Sequence, residues 1–218
     1  MMKESKYTKY YLPLLLLLVI SSCNTTVQNL DTEELPYYNE ATFTPSWIES
    51  DKEKRKFHKI PEFKLINQNG DSITEVTVKD KIYVVDFFFT ACPGICPKMT
   101  TNMHKVQEVF KDDQEVLLLS HSVTPESDSV AVLKDYAELN EVDAAKWHLL
   151  TGDQKTIYDL GRNAYFVEED LGLTKSEGDF IHTENFVLVD QQRHIRGIYN
   201  GLNKTSVNQL IEDIKSLK

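Results

Sequence analysis

Two cysteines with reactive thiol side chains, Cys92 and Cys96, lie close together in the stretch FFFTACPGICPKM. Such a pair could form a structural disulfide, act as a redox couple or bind a metal. The three intervening residues permit a disulfide, and they also let both sulfurs point at one external atom, as two-thiolate binding of a soft metal requires. A disulfide across so short a loop would remove little entropy from the unfolded chain, so a purely structural role is the weakest interpretation.

The residues around the cysteines predict a buried strand that leads into a helix. KIYVVDFFF is a continuous β-branched and aromatic run, which is typical of a strand covered on both faces. After the cysteines, apolar residues recur at helical spacing: Met99, Met103, Val106 and Phe110. Cys92 would therefore lie in the loop and Cys96 in or just before the first helical turn, with Pro97 at the first helical position. The N–H groups and dipole of a helix start favour thiolate over thiol.

The order of predicted elements indicates an α/β fold. Asn69 and Gly70 lie between alternating apolar residues and predict an N-terminal β-hairpin. Strands and helices then alternate, and NFVLVD and HIRGIYN predict an antiparallel pair before a closing amphipathic helix. This order predicts a central mixed sheet with helices on both faces, and it matches a thioredoxin-like fold with additions.

One carboxylate lies inside the apolar strand before the cysteines. Asp86 is six residues before Cys92, where it could accept a proton from a thiol and support a redox reaction. The alternative is a strand-edge aspartate paired with a lysine or with water.

A histidine ligand would have to approach the strand-to-helix loop that carries the cysteines. His182 is favoured because it follows a loop bounded by Gly172 and Gly178 and comes just before NFVLVD, a segment that faces the cysteine loop in thioredoxin-like folds. His121, near the end of the strand VLLLSHSV, is the second choice; the alternative there is a strand-end histidine held by hydrogen bonds. His104 is two turns beyond Cys96, about 12 Å along the helix axis, and is too far. The remaining histidines are expected at the surface or in loops: His58, His148 and His194.

Length and composition indicate one globular domain with some additional chain. The protein has 218 residues, 41% of them hydrophobic and 27% charged, and a net charge of −10. An acidic net charge and the lack of a basic, aromatic-rich cluster in the sequence disfavour nucleic acid as a partner.

The first residues predict export and lipid attachment. Three lysines precede the apolar run LPLLLLLVI, and ISSC resembles a lipobox ending at Cys23. Residues 1–22 would then be a removed signal peptide, 23–56 a lipidated tether and N-terminal extension, and 57–218 the domain. An uncleaved anchor or an ordinary secretory signal is the alternative. Loss of three lysines and one glutamate takes the net charge from −10 to −12. Cys92 and Cys96 would be the only thiols left in an oxidising compartment.

Four stretches together resemble the Sco/SenC family of copper chaperones over residues 57–218: FFFTACPGICPKM, SHSVTPESDSVAVLKDYAE, WHLLTGDQKTIYDLGRNAYFV and IHTENFVLVDQQRHIRGIYNG. The resemblance implies that Cys92, Cys96 and His182 bind copper and that the protein helps assemble the binuclear copper centre of cytochrome c oxidase. Two positions depart from the family pattern, Ile181 and Thr124, where aspartates are frequent. Neither is an implied ligand, but both leave the arrangement around the site open.

Two thiolates and one imidazole suit Cu(I), and could hold Cu(II) with an added ligand, whereas zinc normally requires a fourth ligand. The leading hypothesis is therefore a copper chaperone, not an enzyme, lipid-anchored to a bacterial membrane and facing the periplasm. Its partner would be the copper subunit of cytochrome c oxidase or another exported copper protein.

The competing hypothesis is a thiol-disulfide oxidoreductase that acts on exported proteins, with a peroxidase as a related variant. Asp86 favours it, whereas the three-residue spacing and the lack of a proline before NFVLVD disfavour it. A module that senses copper or redox state stays a third possibility.

Overall fold

The computed structural model describes residues 34–48, 50–167, 181 and 183–218. The strands are β1 (Lys64–Asn67), β2 (Ser72–Thr74), β3 (Ile82–Phe88), β4 (Val116–Ser122), β5 (Trp147–Thr151), β6 (Asn185–Val189) and β7 (Ile195–Asn200). The helices are α1 (Asp51–Lys54), α2 (Cys96–Val109), α3 (Val130–Leu139), α4 (Gln154–Asp159) and α5 (Lys204–Ser216), and a π-helical turn, Leu160–Ala164, follows α4.

The strands form one sheet of seven in the order β2-β1-β5-β4-β3-β6-β7. β3, β4 and β5 are parallel to one another, and the pairs on either side of them are antiparallel. The carboxyl ends of the three parallel strands therefore share one edge of the sheet, and the loop that follows β3 carries both cysteines.

Every residue of β3 is buried, because the sheet is covered on both faces. Alternate residues enter two separate cores, as the period of two along a strand requires. Tyr83, Val85 and Phe87 pack in one core, with residues of α4 and the π-helical turn. Ile82, Val84 and Phe88 pack in the other, with residues of α2, α3 and α5.

The architecture confirms the predicted thioredoxin-like, mixed α/β sheet with helices on both faces. The N-terminal hairpin β1–β2 turns at Gly70, whose φ of +84° favours glycine. The antiparallel pair β6–β7 and the closing helix α5 also lie where the sequence predicts them. The π-helical turn was not predicted, because its residues continue the apolar period of α4.

The segment 34–48 packs against β7. Tyr37 is buried and pairs with Ser46, while Tyr38 pairs with Ile195 of β7. Arg196 fixes this segment by donating to the backbone carbonyls of Leu35 and Pro36. None of the described helices is long and apolar enough to cross a membrane. The predicted signal peptide and Cys23 lie outside the described residues, and the predicted domain boundaries stay predictions.

Candidate dithiol site

The two cysteines lie at the junction between β3 and α2. Cys92 is partly exposed in the loop, and its N–H donates to the carbonyl of Phe89 at 3.3 Å. Cys96 is buried and is the first residue of α2, so Pro97 occupies the second helical position and not the first. No side chain caps this helix start. Both cysteines are free thiols.

The loop makes Cys92 the more acidic thiol. Its partial burial would raise the pKa, but the Cys96 thiol and the backbone N–H groups of Cys96, Gly94 and Ile95 donate to its sulfur and leave the pKa lower than usual. This is the effect predicted for a helix start, and it favours the thiolate form of Cys92.

Cys96 has the opposite character. Burial, followed by its shared hydrogen bond with Cys92, raises the pKa of Cys96 to about 12. Only one negative charge is therefore favoured on the pair in the absence of a cation. A soft cation would stabilise the second thiolate, whose proton is released when the metal binds.

Asp86 lies on the same face of β3 as the core that contains Cys96, and it is 2% exposed. The Ser120 hydroxyl donates to its carboxylate, and Trp147 Nε1 donates to that hydroxyl at 2.7 Å. Burial raises the pKa of Asp86 to about 7, and its charge contributes to the raised pKa of Cys96. Asp86 is thus an interior residue of a central strand, and the alternative of a strand-edge aspartate paired with lysine is wrong.

The sequence did not single out Tyr136, which reaches this site from α3. Its ring lies 5.4 Å from that of Phe88, and its hydroxyl lies 2.7 Å from Thr100 Oγ1. Burial, together with the nearby Asp86, Cys96 and Cys92, raises its pKa, so its hydroxyl stays protonated beside the thiols. A tyrosine on an amphipathic helix gives no signal of this position before the fold is known.

His121 does not belong to this site. It lies in β4 opposite Phe87 of β3, and its ring stacks on the Phe87 ring with centroids 4.9 Å apart. This is the face of the sheet opposite to Cys96. Burial lowers the pKa of His121 to about 4, against a smaller opposing effect of the Asp86 and Leu119 backbone. His121 is a neutral core residue, so the second choice of ligand is wrong.

The other described histidines also lie elsewhere. His104 points from α2 towards Glu141, with Nε2 3.9 Å from a carboxylate oxygen. His58 lies 2.7 Å from the Ala164 carbonyl, and His194 Nδ1 lies 2.8 Å from the His58 carbonyl. His58 and His194 lie in loops, as predicted, although His194 is buried and His58 is half-buried. His148 is buried within β5, so the expectation of a surface or loop position is wrong for this residue.

His182 lies outside the described residues. Within the described part of the chain, no group of three histidine, cysteine or carboxylate side chains could hold a metal ion. What the structure shows of a metal site is the pair of adjacent sulfurs, in hydrogen-bond contact, on a partly exposed loop. Such a donor pair fits a soft cation such as Cu(I) and is incomplete for zinc.

The sheet order and the dithiol at the strand-to-helix junction define a class: thioredoxin-like proteins with a CxxxC site. The SCO1/SenC family model matches residues 51–218. The chain belongs to this family.

Relatives support both the family and the fold. The SCO1 protein homolog of Bacillus subtilis (strain 168) is 30% identical over 161 residues, which cover 73% of this chain and 82% of the relative. The structure of BsSco, described as having a disulfide switch and as a member of the Sco family of cytochrome c oxidase assembly proteins, has a TM-score of 0.63 and 31% identity, covering 73% of this chain and 93% of that one. Copper-bound ScoI of Bradyrhizobium japonicum has a TM-score of 0.58 and 27% identity, covering 73% and 99%.

Proposed function

We propose that this protein binds copper through Cys92, Cys96 and His182 and delivers it to the copper subunit of cytochrome c oxidase or to another exported copper protein. The observation that carries the proposal is the pair of adjacent sulfurs, one with a lowered pKa and one buried, at the start of α2. The copper-bound structure of a Sco relative supports the choice of metal.

The exposure of the two sulfurs suits transfer. Cys92 is partly exposed and Cys96 is buried, so an incoming ligand of the recipient would reach Cys92 first. As copper leaves, Cys96 would regain its proton, because burial holds its pKa at about 12. The metal is cargo in this proposal, and no catalytic turnover is required.

The experiment is titration of the chain lacking residues 1–23 with Cu(I), in competition with a chromophoric chelator under reducing conditions. We expect one Cu(I) per chain. Cys92→Ser or Cys96→Ser should abolish tight binding. His182→Ala should weaken it by more than about 100-fold, because even residues that only orient ligands typically contribute 10–100-fold. His104→Ala, a partly exposed histidine of α2, is the matched control. Unchanged affinity in both Cys92→Ser and His182→Ala would refute the proposal.

We also propose that the chain is lipidated at Cys23 and held on a bacterial membrane facing the periplasm. The signal-like residues 1–22 and the lipobox-like ISSC support this. Cys23→Ser should move the protein from the membrane fraction to the soluble fraction or leave the leader uncleaved, since acyl chains would be its anchor. A membrane-bound Cys23→Ser chain with its leader removed would contradict this.

A second function is favoured by Asp86 and by the disulfide switch described for BsSco. The Cys92 thiolate would attack a disulfide of an exported protein, forming a mixed disulfide and releasing one substrate thiolate. Cys96 would then lose its proton to Asp86 and attack the Cys92 sulfur. This step would release the second substrate thiolate and leave the Cys92–Cys96 disulfide. Disulfide reduction that persists in His182→Ala and falls in Asp86→Asn would favour this function, because the histidine has no part in dithiol exchange.

A further inference from the structure

Asp128 is a buried carboxylate to which the proposed function assigns no role. It is 1% exposed and lies in the connection between β4 and α3, just before the helix N-cap Ser129. Among the described residues no lysine or arginine pairs with it. Burial of a carboxylate is unfavourable unless hydrogen bonds replace its water shell.

Four hydrogen bonds do this. The Ser122 hydroxyl donates to Asp128 Oδ2 at 2.6 Å, and the Thr124 hydroxyl donates to the same oxygen at 3.1 Å. The other two come from Thr90, whose N–H donates to Oδ2 at 3.2 Å and whose hydroxyl donates to Oδ1 at 2.6 Å. Three separate residues therefore donate to one carboxylate.

These donors belong to two different connections of the fold. Ser122 and Thr124 lie at the end of β4 and just after it, whereas Thr90 lies after β3, two residues before Cys92. The β4 side is held independently, since Ser127 and Asp128 both donate through their N–H groups to the Thr124 carbonyl at 2.9 Å. Asp128 thus ties the first residues of the cysteine loop to a rigid neighbouring turn.

The cysteine loop needs such a fixed point. The helix it enters has no side-chain cap, and the N–H groups of Gly94, Ile95 and Cys96 are directed at the Cys92 sulfur. Without Asp128, the N–H and hydroxyl of Thr90 would both lose their partner. The loop would then keep only the backbone link from Val123 N–H to the Phe88 carbonyl, at 2.9 Å, as its described hydrogen bond to the β4 turn. The position of Cys92 relative to Cys96 would then vary.

We propose that Asp128 is a positioning residue that holds the sulfur of Cys92 beside that of Cys96. This inference deepens the proposed copper function and rests on it for the binding of metal, but the geometry of the dithiol can be measured without metal.

The experiment measures two quantities on the chain lacking residues 1–23. The first is the equilibrium constant for oxidation of the dithiol by glutathione disulfide, which forms the Cys92–Cys96 disulfide and two glutathione thiols and reports how well the sulfurs are held together. The second is Cu(I) affinity. Asp128→Ala should lower each by roughly tenfold, the lower end of the loss seen when a residue that orients a metal ligand is removed.

The conservative variant should rescue both quantities. In Asp128→Asn, the amide oxygen in place of Oδ2 would still accept from Thr90 N–H, Ser122 and Thr124, and the amide nitrogen would donate to the Thr90 hydroxyl. Values close to those of the unaltered protein are expected. If Asp128→Ala does not fold, Thr90→Val, which removes only the hydroxyl, should lower both quantities by a smaller factor.

Asp190→Ala is the matched control for loss of a buried carboxylate. Asp190 is 4% exposed, accepts from the N–H groups of Gln192 and His194, and pairs with Arg196. It lies at the opposite end of β3 from the cysteines, because Val189 is opposite Tyr83. Its loss should lower the free energy of unfolding and leave the glutathione equilibrium unchanged.

An unchanged glutathione equilibrium in Asp128→Ala, or an equal change in Asp190→Ala, would overturn the inference. If the unaltered chain bound no Cu(I), the copper proposal would fail, while the glutathione equilibrium would still decide whether Asp128 positions the thiols.

Discussion

At the scale of single residues, the cysteine pair and Asp86 could be identified from the sequence, because residue type and spacing carry their chemistry. The face on which a side chain lies could not be assigned with the same ease. Phe87 and His121 occupy facing positions in parallel strands, as do Asp86 and Ser120. Adjacent residues of a strand face opposite sides of the sheet, so Asp86 faces the side of the dithiol and Phe87 faces the other core. His121 faces the same side as Phe87 and therefore lies outside the site. Asp128 gave no signal because Thr90, the donor that links it to the cysteine loop, is distant in sequence.

Asp86 gives the molecule a testable dependence on pH. Burial raises its pKa from 3.8 to about 7, so the folded protein holds a proton that the unfolded chain releases. Below about pH 4 both states are protonated and there is no effect. As pH rises towards 7, only the unfolded chain loses the proton, and the free energy of unfolding falls by up to roughly 4 kcal/mol.

Asp86→Asn should remove this loss, since an amide stays neutral and its oxygen still accepts from Ser120. We expect the variant to be more stable than the unaltered protein at about pH 8 and nearly equal to it at about pH 4. Urea unfolding at both pH values measures the difference. An identical fall in stability in both proteins would show that the carboxyl group is already ionised in the fold.

At the scale of elements, strands and helices were predictable where the apolar pattern is clear, as in the continuous run of β3 and the helical period of α2 and α5. The π-helical turn Leu160–Ala164 was not, because its residues continue the apolar period of α4. Its Gly161 lies against Ile181 and Phe87, so close that a β-carbon at this position would lie 2.8 Å from Ile181 Cδ1 and 3.0 Å from Phe87 Cε1. Phe87 is itself stacked on His121 and has little room to move.

Gly161→Ala should therefore destabilise the fold. Overpacking typically costs about 1–3 kcal/mol, whereas replacing glycine by alanine within a helix gains at most about 1 kcal/mol. Urea unfolding should show a net loss. Gly152→Ala is the control, because its β-carbon would come within 3 Å of one atom only, Leu65 Cδ2 at 2.8 Å, at the end of a flexible side chain. Equal effects of the two substitutions would contradict the close packing of Phe87 and Ile181 around Gly161.

At the scale of the whole molecule, the segment 34–48 packs against the sheet, and contacts of one buried residue explain why. Arg196 of β7 is 6% exposed, and its guanidinium lies 3.9 Å from the centroid of the Tyr37 ring. It also pairs with Asp190 at 3.2 Å and donates to two backbone carbonyls of the segment 34–48. A single buried cation thus fastens that segment to the sheet, a long-range arrangement that no local pattern predicts.

Arg196→Met should separate this structural role from the function of the dithiol. The substitution keeps an unbranched side chain but leaves Asp190 buried without its cation, and breaking such a buried pair typically costs about 3–5 kcal/mol. Lys215→Met removes an exposed pair with Glu212 and should cost less than about 1 kcal/mol. Urea unfolding compares the two variants. Arg196 lies in the edge strand β7, next to Ile195, which pairs with Val189 opposite Tyr83 near the start of β3, whereas the cysteines follow the end of β3. Cu(I) affinity per folded chain should therefore equal that of the unaltered protein. A weaker affinity in Arg196→Met alone would mean that the packing of segment 34–48 is coupled to the metal site across the sheet.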